Sequence, residues 1–448
     1  MTTSHTSSRR DFLVSSAATT AALAGEMNLA RNVHAAGKEQ IKVALIGCGG
    51  RGTGAASQML QASPAVKLWA MADVFEDRLE TARDALINGV DARYDRQEHG
   101  GAGTQIDVPP ERQFIGWDAY KKAIDSGADV AIMATTPHFR PMQFEYAVQQ
   151  GLHAFIEKPV AVDAPGVRQV LAAAQAAKQN NTKVAAGFQR FHNPMYQEAI
   201  GRIQDNAIGG LTYLRTYFNH GTMWDIPRKP EWNEMEFQMR NWQHFCWTSG
   251  DHTCEQQAHS FQIIYWLLGR PPLKAVGMGG REVCKGARYG DIFDHHAVEF
   301  TYDDGLTVFA QDRQINGCWT EMAEAIHGTD GWCRIQQNDN ATIQGAHPWS
   351  YPGRGINAYQ LEQNAFIDAI VNDKPYNEGE MAAMSCMLSV MTRMATYSAQ
   401  EVTWEKAFQS QVRLGPDTYA WDADPPVQPG PDGTYEHAVP VPGRWNNY

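Results

Sequence analysis

Three glycines near residue 50 have the type and spacing to bind a phosphate group. Gly47, Gly49 and Gly52 follow a short apolar run at residues 41–46, and an alanine-rich segment at residues 54–60 comes next. In a strand–turn–helix unit, the first glycine of G-x-G-x-x-G permits a tight turn. The second lets the backbone approach a pyrophosphate, and the third lets helix and strand pack closely. The helix N-terminus then offers free N–H groups to the anion, so the pattern predicts a dinucleotide-binding site.

A carboxylate and an arginine bear on which dinucleotide binds. Asp73 ends the next apolar run, residues 66–72, at about twenty residues after Gly52. A carboxylate at this place accepts hydrogen bonds from ribose hydroxyls and repels a 2′-phosphate, which favours NAD over NADP. Arg51 lies inside the glycine loop, where it can pair with a phosphate. NADP therefore stays possible.

Polar residues also follow two later buried runs, residues 128–134 and 153–156. Ligands of open parallel sheets bind beyond the carboxyl ends of the strands, so we expect these residues to border the cofactor. They are Thr135, Thr136, Pro137, Glu157 and Lys158.

The elements that position these residues alternate between strand and helix through residues 37–188, which predicts an α/β, doubly wound parallel Rossmann sheet. Residues 189–415 differ. Stretches at 211–218, 297–302, 306–311 and near 325–335 alternate as half-buried strands do, which predicts an α+β domain with an open, mainly antiparallel sheet. Helices near 360–371 and 380–397 are expected to close this second domain. The Pro- and Gly-rich tail, residues 416–448, is expected to wrap along the body.

These stretches resemble the Gfo/Idh/MocA oxidoreductases, the family of glucose–fructose oxidoreductase, inositol dehydrogenase and their relatives. The matching stretches are KVALIGCGGRG at residues 42–52, ATTP at 134–137, GLHAFIEKP at 151–159 and GDHTCEQQAH at 250–259. The resemblance implies that Lys158 lies beside the nicotinamide and contacts the hydroxyl that is oxidised. It also implies that His259 is the acid–base residue and that Glu255 is its carboxylate neighbour.

Glu255 and His259 are four residues apart, so on an α-helix they share a face. We expect Glu255 to orient His259 and to favour its imidazolium form. The chain departs from the family pattern in three places. Glu255 replaces an Asp, Gln262 replaces a second Asp, and Pro141 stands where a His often follows Thr-Pro, with His138 nearer that motif. These departures bear on the substrate rather than on the reaction class.

The expected substrate is a small sugar or glycoside. The residues expected to contact it are Gln189, Arg190, Tyr217, His252 and His259. The aromatic stretch from Trp224 to Trp247 is interleaved with charges and is expected to form part of a sugar cleft, because aromatic faces stack on the C–H faces of sugars. For His295 and His296, beside Asp294, substrate contact and buried hydrogen bonding both stay open.

A cluster of potential metal ligands lies in the same region. Its members are His244, Cys246, His252, Cys254 and His259. Their spacing matches no closed zinc module and no second cysteine pair follows, so we expect no metal.

The first 36 residues have the order of an export signal. Arg9 and Arg10 form a twin-arginine pair, an apolar stretch at 12–23 follows, and Val33-His34-Ala35 offers a cleavage site. We therefore expect a periplasmic or otherwise exported protein; the alternative is a disordered N-terminal tail. Twin-arginine export carries folded proteins, so folding in the reducing cytosol would make the seven cysteines acceptable as free thiols.

Charge restricts the possible partners. The 448 residues include 38 Lys and Arg against 50 Asp and Glu, a net charge of −12. Such an acidic chain binds phosphate backbones and anionic lipid poorly, so we expect no nucleic acid and no membrane contact beyond export. The family resemblance implies a homodimer or homotetramer.

An exported enzyme meets little free NAD(H), so we expect a tightly bound cofactor that is regenerated on the same molecule. An oxidoreductase could reduce a second sugar, or oxidise and re-reduce one sugar to an epimer. An alternative is an NAD-dependent glycosidase that works by transient oxidation and elimination, with His252 or Tyr217 as an additional base. A second alternative is a non-catalytic sugar-binding protein.

Overall fold

The structure is a computed structural model that describes residues 40–88, 105–337, 340–353 and 355–446. The export signal expected at residues 1–36 lies outside these ranges.

The first half of the described chain forms a six-stranded parallel sheet. Its strands are β1 (Ile41–Ile46), β2 (Val66–Asp73), β3 (Gln113–Ile115), β4 (Val130–Met133), β5 (His153–Ile156) and β6 (Val184–Ala186). They lie in the order β3-β2-β1-β4-β5-β6. The order reverses between β1 and β4, which confirms the doubly wound Rossmann prediction and puts the ligand crevice at the carboxyl ends of these two strands.

Five helices of the described chain connect these strands: α1 (Gly50–Ala62), α2 (Glu76–Asn88), α3 (Ala119–Asp125), α4 (Arg140–Gln149) and α5 (Ala164–Gln179). The start of α5 shows how the sequence sets a boundary. The Asp163 carboxylate accepts a hydrogen bond from the Gly166 N–H at 2.8 Å, and Pro165 lies in the first turn, where its missing N–H costs nothing. This cap was predicted from the sequence.

The second sheet of the described chain has nine strands. They are β7 (Leu211–His220), β8 (Lys274–Gly280), β9 (His295–Thr301), β10 (Thr307–Gln314), β11 (Glu321–Gly328), β12 (Gly331–Gln336), β13 (Asn340–Gly345), β14 (Trp349–Ser350) and β15 (Val402–Thr403). Their order is β14-β13-β12-β11-β7-β10-β9-β8-β15. Only β7 and β10 pair in parallel among these described strands, so the mainly antiparallel prediction is confirmed. The expected strand near 325–335 is in fact a hairpin of β11 and β12.

The remaining α-helices of the described chain are α6 (Pro194–Gln204), α7 (Glu234–Arg240), α8 (Cys246–Ser249), α9 (Ala258–Leu268), α10 (Ala358–Val371), α11 (Gly379–Ser398) and α12 (Trp404–Gln409). Helix α9 packs on the second sheet, where Phe261 meets Phe300 at 5.6 Å between ring centres. Helix α10 does not close the second domain as expected. Phe366 of α10 packs against Phe155 of β5 in the core of the first sheet, so the two halves of the chain interlock.

The C-terminal tail returns to the first domain. Tyr419 and Trp421 join an apolar cluster that includes Phe75, Trp117 and Phe139. Among the described residues, none of the helices combines the length and the apolar character that crossing a bilayer requires.

Candidate active site

A cavity of about 630 Å³ opens at the carboxyl ends of β1 and β4. It brings together most of the residues that the sequence singled out. Those that line it are Gly47, Gly49, Arg51, Asp73, Thr135, Thr136, Glu157, Lys158, Glu255 and His259. Residues distant in sequence therefore meet in one space, with the glycine loop and Asp73 in one part of its wall and the Lys158–His259 group in another.

The glycine loop has the shape that a pyrophosphate needs. Gly47 has a φ of +93°, and a Cβ there would lie 2.4 Å from the Thr135 nitrogen. A Cβ at Gly52 would lie 1.9 Å from the Gly47 oxygen, whereas one at Gly49 would meet nothing within 4 Å. Helix α1 starts at Gly50 without a side-chain cap, so its first N–H groups are available to an anion. The loop therefore fits a dinucleotide, although Gly52 itself acts through packing and does not line the cavity.

Asp73 is held by the backbone of neighbouring loops. Its carboxylate oxygens accept hydrogen bonds from the Cys48 N–H at 2.6 Å and the Phe75 N–H at 2.9 Å. Burial raises the pKa of Asp73, while these two N–H groups and the charge of Arg78 oppose the shift. Each carboxylate oxygen keeps a lone pair for a ligand hydroxyl.

Arg51 is already engaged by protein groups. Its Nε lies 3.1 Å from Glu157 Oε1, and its Nη2 donates to Gln58 Oε1 at 2.6 Å. Its guanidinium also lies over the Tyr359 ring at 4.8 Å. This pairing directs Arg51 towards Glu157 rather than leaving a free cation for a 2′-phosphate, which agrees with the predicted preference for NAD.

Lys158 forms an ion pair with Glu255 at the edge of the cavity. Its Nζ lies 2.8 Å from Glu255 Oε1 and also donates to the Glu255 backbone oxygen. The other carboxylate oxygen accepts a hydrogen bond from the Gln256 side chain. The side chains of Lys158 and Glu255 are each only 12% exposed, so this pair is weakly screened by solvent.

The pairing corrects the expectation that Glu255 orients His259. Residues Thr253–Gln257 form a π-helical turn before α9 begins at Ala258. This turn is wider than an α-helical one, so a four-residue spacing no longer stacks the two side chains. Glu255 therefore contacts Lys158 and not His259.

His259 is buried between two aromatic rings. Phe218 stacks on it at 6.2 Å and Phe188 meets it edge-on at 6.0 Å between ring centres. Burial holds the pKa of His259 well below its usual range, and the charges of Lys158 and Arg190 lower it further. The direction of this shift disfavours the imidazolium form that the sequence led us to expect. Its buried Nδ1 has no hydrogen-bond partner in the described part of the chain.

Three of the other predicted substrate contacts lie outside the cavity lining. Arg190 is buried in an ion pair with Glu324 at 2.8 Å. Gln189 donates to the Tyr359 hydroxyl at 3.0 Å. His252 lies 2.6 Å from Asp312 through Nδ1 and 2.9 Å from His220 through Nε2.

Tyr217 also lies away from the cavity, for a reason of strand geometry. Successive side chains on β7 point to opposite faces of the sheet. Phe218 faces His259, so Tyr217 faces the other side, where it meets Trp319 at 5.6 Å. Of these two neighbours on β7, Phe218 and not Tyr217 contacts the imidazole of His259.

The structure adds residues that sequence reasoning missed. Arg140 lines the cavity and donates to the backbone oxygens of Thr135 and Pro159, which ties two strand ends together. Burial lowers the pKa of Arg140 to about 10. Its only sequence signal was its position after the Thr-Pro motif. From the predicted aromatic stretch, Trp224 and Trp242 do line the cavity.

The polar cluster around His296 is hydrogen-bonded within the protein. His296 is buried, 3.1 Å from Asp251 and 2.9 Å from the Thr396 hydroxyl. Of its two open interpretations, the structure supports buried hydrogen bonding. Within the described ranges, no three or more His, Cys, Asp or Glu side chains are grouped so as to hold a metal ion.

Comparison with known sequences also indicates a dinucleotide-binding Rossmann domain. Residues 41–188 match the Gfo/Idh/MocA family model, described as an oxidoreductase family with an NAD-binding Rossmann fold. An uncharacterized oxidoreductase of Streptococcus pneumoniae is 25% identical over 54% of this chain and 64% of its own length. The NAD-dependent scyllo-inositol 2-dehydrogenase of Bacillus subtilis is 22% identical over 75% of this chain and 88% of its own. The chain thus spans just under two thirds of the first relative.

Solved structures share the fold. The aldose-aldose oxidoreductase of Caulobacter crescentus, complexed with glycerol, superposes with a TM-score of 0.61 at 17% identity, over 81% of this chain and 99% of that one. The scyllo-inositol dehydrogenase of Lactobacillus casei, with bound NAD(H) and scyllo-inositol, gives 0.59 at 18% identity, over 82% and 99%.

Proposed function

We propose, starting from the match of residues 41–188 to the Gfo/Idh/MocA family model, that this chain is an NAD-dependent oxidoreductase acting on a CH–OH group of a sugar or polyol. One observation carries the proposal. The Lys158 ammonium, paired with Glu255, lines the same cavity as the glycine loop. The His259 imidazole also lines it, and its Nδ1 has no hydrogen-bond partner among the described residues. The inositol and aldose enzymes among the similar proteins support this substrate class.

In one oxidation, His259, Lys158 and Glu255 have separate roles. The glycine loop and Asp73 would hold NAD, which would supply a hydride acceptor for the carbinol carbon. The lowered pKa of His259 favours its unprotonated form, which can accept the proton that the hydroxyl loses. Lys158 stabilises the oxygen as negative charge develops on it, and Glu255 keeps the ammonium in place. The atoms balance, because the alcohol loses one hydride and one proton to two separate acceptors.

A single-turnover experiment tests this chemistry. Protein loaded with NAD is mixed with a panel of polyols and sugars, and the absorbance of reduced nicotinamide is followed. We expect His259→Gln and Lys158→Met to slow its appearance about 10²- to 10⁴-fold. Lys178→Met, at the exposed end of α5, is the matched control and should react like the natural protein.

The same experiment separates the alternatives. NAD-dependent release of phenol from aryl glycosides, lost in His259→Gln, would identify the glycosidase route. Saturable sugar binding without turnover on any compound would identify a binding protein and refute the oxidoreductase proposal. Full activity of His259→Gln would refute the assigned proton acceptor.

The proposal includes export by the twin-arginine route and regeneration of the cofactor on the same molecule. Its support is the pair Arg9 and Arg10 with the apolar stretch that follows them. Cell fractionation is the test. We expect the protein in the periplasm, and the double variant Arg9→Lys/Arg10→Lys in the cytosol; an unchanged cytosolic location of both would contradict export.

The proposal also includes a homodimer or homotetramer. Its support is an outward face of the second sheet that exposes large apolar side chains, among them Val276 and Met278 of β8.

A further inference from the structure

The second half of the chain forms the outer wall of the dinucleotide cavity. Trp224, Ile226, Met239, Arg240 and Trp242 line it, and all five lie in residues 221–245, between β7 and α8. The glycine loop and Asp73 line the same cavity from the first domain. A dinucleotide on the glycine loop would therefore be covered by side chains from the other half of the chain.

Arg240 connects this wall directly to the first domain. Its two terminal nitrogens donate to the two carboxylate oxygens of Asp77, at 3.0 and 3.1 Å, a bidentate pair. Its Nε donates to Glu236 at 2.9 Å, and its guanidinium lies 3.9 Å from the centre of the Phe75 ring. Asp77 and Phe75 follow Asp73 by four and two residues, so the contact closes over the part of the cavity where ribose is expected.

The C-terminal tail strengthens the same closure. Trp421 packs on Phe75 at 5.3 Å and on Trp117 at 4.8 Å between ring centres. Tyr419 stacks on Trp117 at 6.0 Å, and its hydroxyl lies 2.8 Å from His138 Nε2. The tail thus packs on Phe75 and Trp117, two first-domain residues that line the cavity.

The tail is also fixed to the helix that carries Arg240. The Asn233 amide donates to the Trp421 backbone oxygen at 2.6 Å, and the Gln238 amide donates to the Val427 oxygen at 2.6 Å. These two hydrogen bonds connect the tail to α7 and to the residue that caps it. Opening the cavity on this side requires breaking the Arg240–Asp77 pair and separating Trp421 from Phe75 and Trp117.

We propose that residues 221–245 and 416–446 form a clasp that retains NAD, with the Arg240–Asp77 pair controlling the rate of its release. The inference rests on the proposed function and deepens it, because it names the residues that make a bound cofactor slow to exchange. Arg240 and Asp77 are positioning residues for retention and not for hydride transfer.

The test measures how fast bound NAD exchanges with free NAD, and it does not depend on catalytic activity. Purified protein with bound NAD is mixed with an excess of isotopically labelled NAD in the absence of sugar, and extracted cofactor is followed by mass spectrometry. We expect slow exchange in the natural protein, about threefold faster exchange in Asp77→Asn and about tenfold faster in Arg240→Ala, which loses both the ion pair and the ring contact. Trp421→Leu, an independent change in the tail, should also exchange faster.

The chain offers a closely matched control. Arg112 pairs with Asp107 at 2.8 Å and lies over the Trp69 ring at 3.5 Å, and neither Arg112 nor Asp107 lines the cavity. The Asp77 and Asp107 side chains are 63% and 55% exposed, so the two carboxylates are alike in solvent contact. Asp107→Asn should leave the exchange rate unchanged. High salt should accelerate exchange in the natural protein but add little in Asp77→Asn, whose ion pair is already absent.

Two results would overturn the clasp. One is exchange by the natural protein within the mixing time, and the other is Asp77→Asn and Trp421→Leu exchanging no faster than Asp107→Asn. Either result leaves the proposed function intact, since a freely exchanging enzyme can still oxidise an alcohol. Failure to bind any NAD would instead refute the proposed function.

Discussion

Burial and the neighbouring positive charges act in the same direction on the pKa of His259. Burial lowers the pKa of His259, and the positive charge of Lys158 lowers it further. The negative charge of Glu255 is directed at Lys158, 2.8 Å away, rather than at the imidazole. Lys158, the group proposed to stabilise the developing oxyanion, therefore adds to the effect of burial on the pKa of the proposed proton acceptor.

Replacing the lysine should therefore change the titration of the histidine. We expect Lys158→Met to raise the pKa of His259, because the variant removes a nearby positive charge and leaves the Glu255 carboxylate unpaired. Hydrogen–deuterium exchange at the imidazole C2 position, read by mass spectrometry across pH, measures this pKa in a protein of this size. Glu255→Gln keeps the ammonium and should leave the pKa of His259 low. Equal upward shifts in both variants would contradict this account.

Sequence reasoning predicted these residues but not all of their contacts. Lys158 follows a buried strand, so its place at the carboxyl edge could be predicted from local pattern alone. The partner of Glu255 could not, because the π-helical turn rotates the side chains and has no signal in the sequence. Alternation along β7 fixes two opposite faces without saying which one meets the helices, so it could not show that Phe218 rather than Tyr217 contacts His259.

At the scale of elements, two glycines of the β1–α1 unit serve different purposes. Gly52 allows the helix to pack on the strand, and Gly49 leaves space for a ligand. A Cβ at Gly52 would meet a backbone oxygen at 1.9 Å, and that oxygen cannot move without displacing the helix. A Cβ at Gly49 meets open space within the protein, where the pyrophosphate is expected.

The two alanine variants should accordingly fail in different ways. We expect Gly52→Ala to lose about 1–3 kcal/mol of unfolding free energy, since the overlap forces β1 and α1 apart. We expect Gly49→Ala to keep its thermal midpoint and to bind NAD at least about tenfold more weakly. Thermal unfolding followed by circular dichroism, together with calorimetric titration of NAD, measures both quantities. A destabilised Gly49→Ala would show that the glycine there serves the fold.

Elements with strong local patterns were predictable, and those that depend on tertiary contacts were not. The buried runs of β1, β4 and β5 agree with the structure to within two residues. Strand β8 contains three glycines in seven residues, and β14 and β15 have two residues each, so none of them carries a strand signal. Helix α10 was predicted as a helix, but its apolar residues do not reveal that it packs on the first sheet.

At the scale of the whole molecule, one face of the second sheet exposes large apolar side chains to solvent. Met278 is 75% exposed and Val276 is 42% exposed, and strand pairing puts Met278 in one row with Ala297, Gln311 and Tyr217. Exposed apolar side chains such as Met278 and Val276 are typical of a surface that another subunit covers.

A charge introduced on this face should dissociate the expected oligomer. We expect Met278→Glu to shift the mass measured by light scattering towards the monomer, because the carboxylate would lose its water in the interface. Val371→Glu is the control, since Val371 is 42% exposed but lies at the end of α10, away from the sheet. A natural protein that is monomeric at all concentrations would contradict the proposed oligomer.

The tail contacts also have a consequence for biosynthesis. Tyr419 meets His138 across 281 positions of the chain, so this contact forms only after nearly the whole polypeptide has left the ribosome. The six parallel strands are complete by Ala186, and domains generally fold in the order in which they are made. A nascent chain therefore passes through a period in which the glycine loop has been synthesised and the tail has not, so a dinucleotide can reach the loop before Trp421 packs on Phe75 and Trp117.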